Sequence, residues 1–470
     1  MKEIYLYNTL SRQKEKFASI ETGKVRMYSC GPTVYHFQHI GNMRAFLFAD
    51  ILRRTLEFHE YKVKHIMNIT DVGHLTGENE GDADFGEDKM EKGARREGKT
   101  VWEIAQMYTK VFFQDLKKLH ILPSKKYTRA TDHITEQIKM IERLVVNGYA
   151  YETQKAVYFD VTKVVDYTIL SGQKLEEKRV AVREEVQQDN KKYHPQDFAL
   201  WFKRVGKFKN HTMHWNSPWG DGFPGWHIEC SAMSIKYLGD KIDIHTGGED
   251  HIAVHHTNER AQNIGATGKP VVRVWMHNGF LLVDGQKMSK SLGNVYTLLE
   301  IEQRGFEPLA FRYFVLGAHY KTKLNFTWKA LEASEIALKK LYQIFLSYPK
   351  EESEPSKKYA QAFGDALRDD LNTPKALAIL WGIMKDNSIP LCVKRATLLL
   401  FDQVLAIGLS QKKNVKSQKI PNEILILLQQ REVAREKKDF ILADTLRKQI
   451  FLEGYEIHDT PNGPKAIVSI

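Results

Sequence analysis

Lys24-Val25-Arg26-Met27-Tyr28-Ser29-Cys30-Gly31-Pro32-Thr33-Val34-Tyr35, followed shortly by His39-Ile40-Gly41-Asn42, is the stretch that decides the fold. Its first six residues alternate and run into Cys30-Gly31-Pro32, which predicts a strand and then a turn. From Gly41 onward, apolar residues recur at Ala45, Phe48, Ala49, Leu52 and Leu56, so a helix packed along one face follows. Tyr61 to Ile69 returns to a strand, with Val63, Ile66, Met67 and Ile69 as its apolar positions. Strand, phosphate-facing turn, helix and strand make one half of a nucleotide-binding α/β fold. His39 and Asn42 lie at the helix start, where side chains and the helix N-terminus bind phosphate oxygens. Gly41 lets an adenine ring or ribose come close to the backbone. Taken alone, the turn also reads as a helix cap with an incidental histidine.

Two further stretches extend this reading. Lys287-Met288-Ser289-Lys290-Ser291, between Gly285 and Leu292-Gly293-Asn294, predicts a mobile cationic loop. Two lysines separated by small residues reach a polyphosphate and stabilise charge built up during nucleotidyl transfer. Gly247-Gly248-Glu249-Asp250 follows an alternating run at Ile242 to Ile244. Glycines after a strand allow close approach, and an acid there holds ribose hydroxyls.

Cys30 and Cys230 each stand just past a predicted strand, and His255 and Glu259 share one face of a helix. Two thiolates, an imidazole and a carboxylate suit a four-ligand zinc centre. Two buried structural cysteines and a helical ion pair are the alternative, and His256 competes with His255 as ligand. Cys392, among Ile389, Pro390, Leu391 and Val393, is expected in a helical core.

The chain has 470 residues, a hydrophobic fraction of 42% and a formal net charge of +11. Such a length predicts several domains. The positive charge suits a polyanionic partner, although a merely basic soluble protein has the same balance. Only three cysteines occur, which argues for a reducing compartment. Neither a signal core nor a membrane-length apolar run is found, so a soluble cytoplasmic protein with no membrane partner is expected.

Along the chain, Val72 to Lys99 reads as a loop or lid and Val101 to Leu119 as a helix. The expected architecture is a Rossmann-type α/β catalytic domain with an inserted connective domain, then an α-helical bundle and a small C-terminal domain. The first catalytic half is placed at 1–125, the insertion at 126–224 and the second half at 225–276. A lysine-loop region follows at 277–326, a helical bundle at 327–410 and the C-terminal domain at 411–470. Ser410 to Pro421 reads as a basic linker. A short tail carrying Pro461, Gly463 and Pro464 closes the chain.

The two phosphate-binding motifs, in this order, resemble the signatures of class I aminoacyl-tRNA synthetases. Gly225-Trp226-His227-Ile228-Glu229-Cys230-Ser231-Ala232-Met233 and His255-His256-Thr257-Asn258-Glu259 narrow the likeness to the cysteinyl-tRNA synthetase family. Asp197-Phe198-Ala199-Leu200-Trp201 and Asp370-Leu371-Asn372-Thr373-Pro374 are similar to the same family, essentially end to end.

The resemblance implies activation of L-cysteine with ATP and transfer to the 3′ end of tRNA(Cys). It implies one Zn2+ per chain on Cys30, Cys230, His255 and Glu259, which selects cysteine over serine through the substrate thiolate. Thr70, Trp226, His245 and Asp250 would contact the amino acid. His39, Gly41, Asn42, Gly248, Asp250 and Lys290 would bind ATP, supplied with Mg2+. Catalysis would fall to His39, Asn42, Lys287 and Lys290. The family also implies a monomer and an anticodon-binding role for the C-terminal domain.

The sequence departs from the family where Asp-Asp-Lys usually follows Asn68-Ile69-Thr70-Asp71-Val72; here Gly73-His74-Leu75 stands instead. His251 replaces a leucine, and the tail lacks a tryptophan. Two other readings remain. A ligase giving cysteine to a small amine would share the adenylation site but lack the basic helical C-terminal region. An RNA-binding relic has no reason to keep both phosphate-binding motifs.

Overall fold

The computed structural model describes residues 2–75, 86–173, 191–289, 292–411, 421–437, 439–453, 455–460 and 463–468. Lys290, Lys438 and most of the expected linker at 410–421 therefore lie outside the described residues. The chain forms two compact units, one of residues 1–338 with 350–409 and the other of 339–349 with 410–470.

At the centre of the larger unit is a five-stranded parallel sheet. Its order is Val272–Asn278, Ile242–Gly248, Lys24–Ser29, Lys62–Ile69 and Lys126–Arg129. Strand order reverses between Lys24–Ser29 and Ile242–Gly248, and the crevice at such a switch point is where open α/β sheets bind ligands. Lys126–Arg129 belongs to this sheet, so the polypeptide leaves the nucleotide-binding layer after residue 129 rather than at 126.

Central parallel strands usually read as unbroken aliphatic runs. Ile242-Asp243-Ile244-His245-Thr246 instead buries polar side chains, each with a partner. Asp243 accepts from the backbone N–H groups of Ile20, at 2.6 Å, and Arg26, at 2.8 Å. Thr246 and Ser29 share a hydroxyl contact of 2.7 Å across the switch point.

The helix Ile40–Phe58 packs on this sheet through Met43, Leu47, Leu52 and Leu56. It also buries Arg44, whose guanidinium donates to the carbonyls of Gly279, Phe280 and Thr322 at 2.6–2.7 Å. Those carbonyls flank the three-stranded sheet of Leu281–Val283, Gln286–Lys287 and Leu324–Phe326. Thus the helix that begins at the first signature is tied to the strands that carry the second. Asp284 and Gly285 turn that hairpin with φ of 49° and 78°, as a tight two-residue turn requires.

The inserted segment forms a four-stranded antiparallel sheet, Ala150–Glu152, Ala156–Phe159, Phe198–Lys203 and Gly222–Pro224. Its last strand leads through Gly225 into the helix Trp226–Leu238. A Cβ at Gly225 would lie 2.1 Å from the Ala199 carbonyl oxygen, so only glycine fits this junction.

Three sequence expectations change. Part of the loop expected at Val72 to Lys99 is a helix, Lys89–Glu97, capped by Asp88 and ended by Gly98 at φ 62°. Its charged sequence hid a helix whose buried side is only Met90 and Gly93. Cys392 is half-buried rather than a core residue, because it sits in the first turn of Leu391–Leu405. The closing tail forms a strand pair, Tyr455–Thr460 with Gly463–Val468. Tyr455 and Ile457 pack there against Ile424, Leu428 and Ile450 of the smaller unit's two helices. On the first of these helices Arg431 is 7% exposed and pairs with Glu432 at 2.7 Å.

Candidate active site

The end of the strand Lys24–Ser29 delivers Cys30, whose N–H donates to Thr246 O at 3.1 Å. Helix Trp226–Leu238 supplies Cys230, and helix His255–Thr267 supplies His255 and Glu259 one turn apart. Cys30 Sγ lies 3.9 Å from Cys230 Sγ and 3.6 Å from Glu259 Oε1. His255 Nε2 is 2.9 Å from the same carboxylate oxygen. One donor atom from each of the four lies within 4.8 Å of the others, so residues up to 229 positions apart in sequence meet at one point.

A second donor group overlaps the first, made of Cys30, His245, His256 and Glu259. His256 Nε2 is 3.2 Å and His245 Nε2 3.5 Å from Cys30 Sγ. His256 Nδ1 pairs with His277 Nε2 at 2.7 Å, and His277 Nδ1 with the Thr9 hydroxyl at 2.8 Å. This chain of contacts orients His256 toward the thiol, in the way outer partners orient metal ligands.

Burial governs the electrostatics. It raises the Cys30 thiol well above its usual range, with the Cys230 thiol adding to the shift. Cys230 is pushed up to about 11 and Glu259 to about 7, both by burial first. Glu259 Oε2 has no hydrogen-bond partner. Four buried ligand-type groups with an orphaned carboxylate oxygen fit a dication, since its charge would return the thiols and carboxylate to their ionised forms.

Next to this cluster opens a cavity of about 1180 Å³. Cys30 and His255 reach its wall, as do Trp226, His39, Asn42, Asp250 and Lys287. Trp226 stacks on the His255 ring with centroids 4.1 Å apart, so the aromatic wall leans on one of the cluster's imidazoles.

His39 caps the helix Ile40–Phe58, its Nδ1 accepting from Asn42 N–H at 3.2 Å. Asn42 in turn donates to Gln38 Oε1 at 2.8 Å. The Ile40 N–H donates to Tyr296 O at 2.8 Å, which joins this turn to the segment beyond the lysine loop. Asn294 closes that loop's base by accepting from Ser289 N–H at 2.7 Å and donating to Lys287 O at 3.2 Å. A Cβ on Gly41 would lie 2.3 Å from Met288 Cε, so the two signatures touch at glycine.

Gly31 is tighter still. Its N–H donates to Asn68 Oδ1 at 2.7 Å, and an added Cβ would lie 1.8 Å from the Asn68 carbonyl oxygen. Gly31→Ala is therefore expected to destabilise the protein by about 1–3 kcal/mol, the usual cost of overpacking. A thermal melt reads this directly, and an unchanged midpoint would mean that the two strands separate freely.

Of the residues expected around the amino acid, Trp226 and Asp250 line the cavity, as does Gly248, expected to meet ATP. Thr70 and His245 are buried outside its wall. Thr70 donates to Glu229 Oε2 at 2.9 Å. Burial lifts the Glu229 carboxyl well above its usual range. Glu229, Gln38 and Asn294 received no role from the sequence, where Glu229 and Asn294 stand in or beside quoted motifs and Gln38 just before His39. Gly73-His74 also gains a setting. Gly73 N–H donates to Asp88 Oδ2 at 3.1 Å, and Lys89 Nζ meets His74 Nε2 at 2.5 Å. The acid and lysine missing after Val72 thus arrive at this place from Asp88-Lys89.

Residues 16–336 match the tRNA synthetases class I (C) catalytic domain, and residues 362–387 match the DALR domain. In architecture the chain is similar to Mycobacterium tuberculosis methionyl-tRNA synthetase bound by methionyl-adenylate. The TM-score is 0.55 at 15% identity, over 82% of this chain and 90% of that one. These findings agree with the parallel sheet and its switch-point cleft and define a class I synthetase fold. Among curated relatives, cysteine--tRNA ligase 1 of Burkholderia lata is 46% identical over 98% of this chain and 96% of its own length. The cysteine--tRNA ligase of Treponema denticola is 42% identical over 97% of each chain. The chain belongs to the cysteine--tRNA ligase family of class I aminoacyl-tRNA synthetases.

Proposed function

We propose that this protein activates L-cysteine with ATP and transfers it to the 3′ end of tRNA(Cys), choosing cysteine by its thiolate. The observation that carries the reading is that Cys30 and His255 belong at once to the buried donor cluster and to the wall of the ATP-sized cavity. Cys30, Cys230, His255 and Glu259 would hold a zinc ion, which would supply a Lewis acid that prefers a thiolate to a hydroxyl.

The chain's own residues position and stabilise. Trp226 bounds the amino acid and Asp250 holds a polar group of the substrate or the ribose. His39, Asn42 and the helix N-terminus hold the triphosphate, delivered with Mg2+. Gly248 admits the nucleoside against the backbone. The cysteine carboxylate attacks the α-phosphorus, the bond to the β-phosphate breaks, and pyrophosphate leaves. Lys287 and Lys290 neutralise the charge that builds on the phosphates in this step. A terminal ribose hydroxyl of tRNA then attacks the adenylate carbonyl, and AMP leaves. The remaining expectations are one zinc per chain, a monomer and a cytoplasmic setting, with residues 411–470 meeting the anticodon side of the tRNA.

The test is exchange of labelled pyrophosphate into ATP with cysteine and serine in parallel, with zinc measured on the same sample. Exchange with cysteine alone and about one zinc per chain supports the reading. Addition of tRNA then separates the synthetase from a small-amine ligase. Folded, zinc-loaded protein that gives no exchange would sink it.

A further inference from the structure

We propose that His74 is a positioning residue that fixes the plane of Trp226 and so sets the shape of the amino-acid pocket. The proposal rests on the reading above in one respect, that Trp226 bounds the bound cysteine.

The geometry is specific. His74 and Trp226 stack with ring centroids 4.0 Å apart and planes 11° from parallel. His255 stacks on Trp226 at 4.1 Å and 25°. No ring contact joins His74 and His255 among the described residues, so the two imidazoles cover opposite faces of the indole. An indole clamped on both faces keeps one plane, whereas one clamped on a single face can swing away.

His74 is itself held at both ring nitrogens. Nδ1 lies 2.6 Å from Thr33 Oγ1, and Nε2 lies 2.5 Å from Lys89 Nζ. An ammonium group only donates, so Nε2 accepts and the ring proton sits on Nδ1, donated to Thr33. The backbone is pinned as well. Lys89 N–H donates to His74 O at 2.9 Å, and Gly73 adopts a φ of 71° with its N–H on Asp88. A Cβ on Gly73 would lie 2.3 Å from Pro224 O, which keeps this turn against the strand that leads into Trp226. Thr33, His74, Lys89 and Trp226 all line the same cavity. The ladder Lys89–His74–Trp226–His255 therefore runs from the helix Lys89–Glu97 to the donor cluster. Among the described residues His74 makes no hydrogen bond or ring contact with the donor cluster or with His39, Asn42 or Lys287, so its role is to hold the wall and not to react.

The experiment measures steady-state pyrophosphate exchange, with cysteine and ATP varied separately, for full-length His74→Gln, His74→Phe, Thr33→Val and Trp226→Ala. Zinc content and thermal midpoint are recorded for each. His74→Gln keeps a group for Thr33 but loses the ring. It is expected to raise the KM for cysteine about tenfold, the scale of one aromatic stack, with the KM for ATP and the zinc content unchanged. His74→Phe keeps the stack and is expected to return the cysteine KM to within about twofold of wild type. Thr33→Val, which keeps the stacked ring and the Lys89 contact and removes only the hydroxyl anchor, is expected to raise the cysteine KM about twofold.

Should a His74 variant fail to fold, Thr33→Val carries the test, and an unchanged cysteine KM there overturns the proposal. It is also overturned if Trp226→Ala raises the cysteine KM while His74→Gln does not, if His74→Phe behaves as His74→Gln does, or if the ATP KM rises in step. An unaltered cysteine KM in Trp226→Ala would instead overturn the reading of Trp226 as the pocket wall, a separate result.

Discussion

Cys30→Ala is expected to strip the proposed zinc centre and to lower cysteine-dependent pyrophosphate exchange by on the order of a thousandfold. Loss of an outer partner of a metal ligand costs roughly ten- to hundredfold. Cys30 should cost more, because it belongs to both donor groups and reaches the cavity wall. Any remaining preference for cysteine over serine should collapse to about a hundredfold or less, the limit for a pocket that sorts by shape alone. Metal analysis, exchange with both amino acids and a thermal melt on one sample separate the causes. Loss of metal and selectivity from a protein that still folds is the expected pattern. Full selectivity in Cys30→Ala would remove the thiol from the recognition step.

The second large effect concerns stability. Asp50 and Arg312 are fully buried in the larger unit and pair at 2.7 Å, and Arg54 joins the same carboxylate oxygen at 2.9 Å. Arg312 also donates to the carbonyls of Leu405, at 2.6 Å, and Leu119, at 2.9 Å. Asp50→Ala leaves that guanidinium buried without its counter-charge and is expected to cost about 3–5 kcal/mol. Asp50→Asn, which keeps an acceptor, should cost less.

The pH dependence follows from the same group. Burial pushes the Asp50 carboxyl up, but the Arg312 and Arg54 charges pull it down further, and the net displacement is below the usual value. A folded-state value below the unfolded one stabilises the protein above the unfolded value. That stabilisation is lost as pH falls through the folded one. Denaturant titrations should therefore show the gap between wild type and Asp50→Ala wide at neutral pH and closing below about pH 4. A gap independent of pH would locate the defect in packing instead.

Much of the site was legible because its chemistry is local. His39 and Asn42 belong to one helix start, and Lys287 to one short hairpin end, so spacing and residue type identify them without the rest of the chain. His74 is the opposite case. Its ring acquires a role from Thr33, Lys89 and Trp226, none of which is adjacent to it, and in sequence it looks only like a departure from a familiar pattern. The helix Lys89–Glu97 was hidden for a similar reason, since a charged segment that buries two residues carries almost no apolar period. The strand pair at Tyr455–Thr460 and Gly463–Val468 takes its register from cross-strand partners, which Pro461, Gly463 and Pro464 conceal in the sequence.

By itself the sequence determined the α/β class, the order of the two signature motifs and the candidate metal-ligand types, with His255 and His256 both open, because periodicity and side-chain chemistry are properties of short segments. The tertiary structure alone decided that Cys30, Cys230, His255 and Glu259 meet, that His245 and His256 form a second set on the same thiol, and that Trp226 is clamped between two imidazoles. Those contacts arise where strand order reverses and two helices from distant parts of the chain converge on one strand end, a meeting that burial of the whole core brings about and no local pattern encodes.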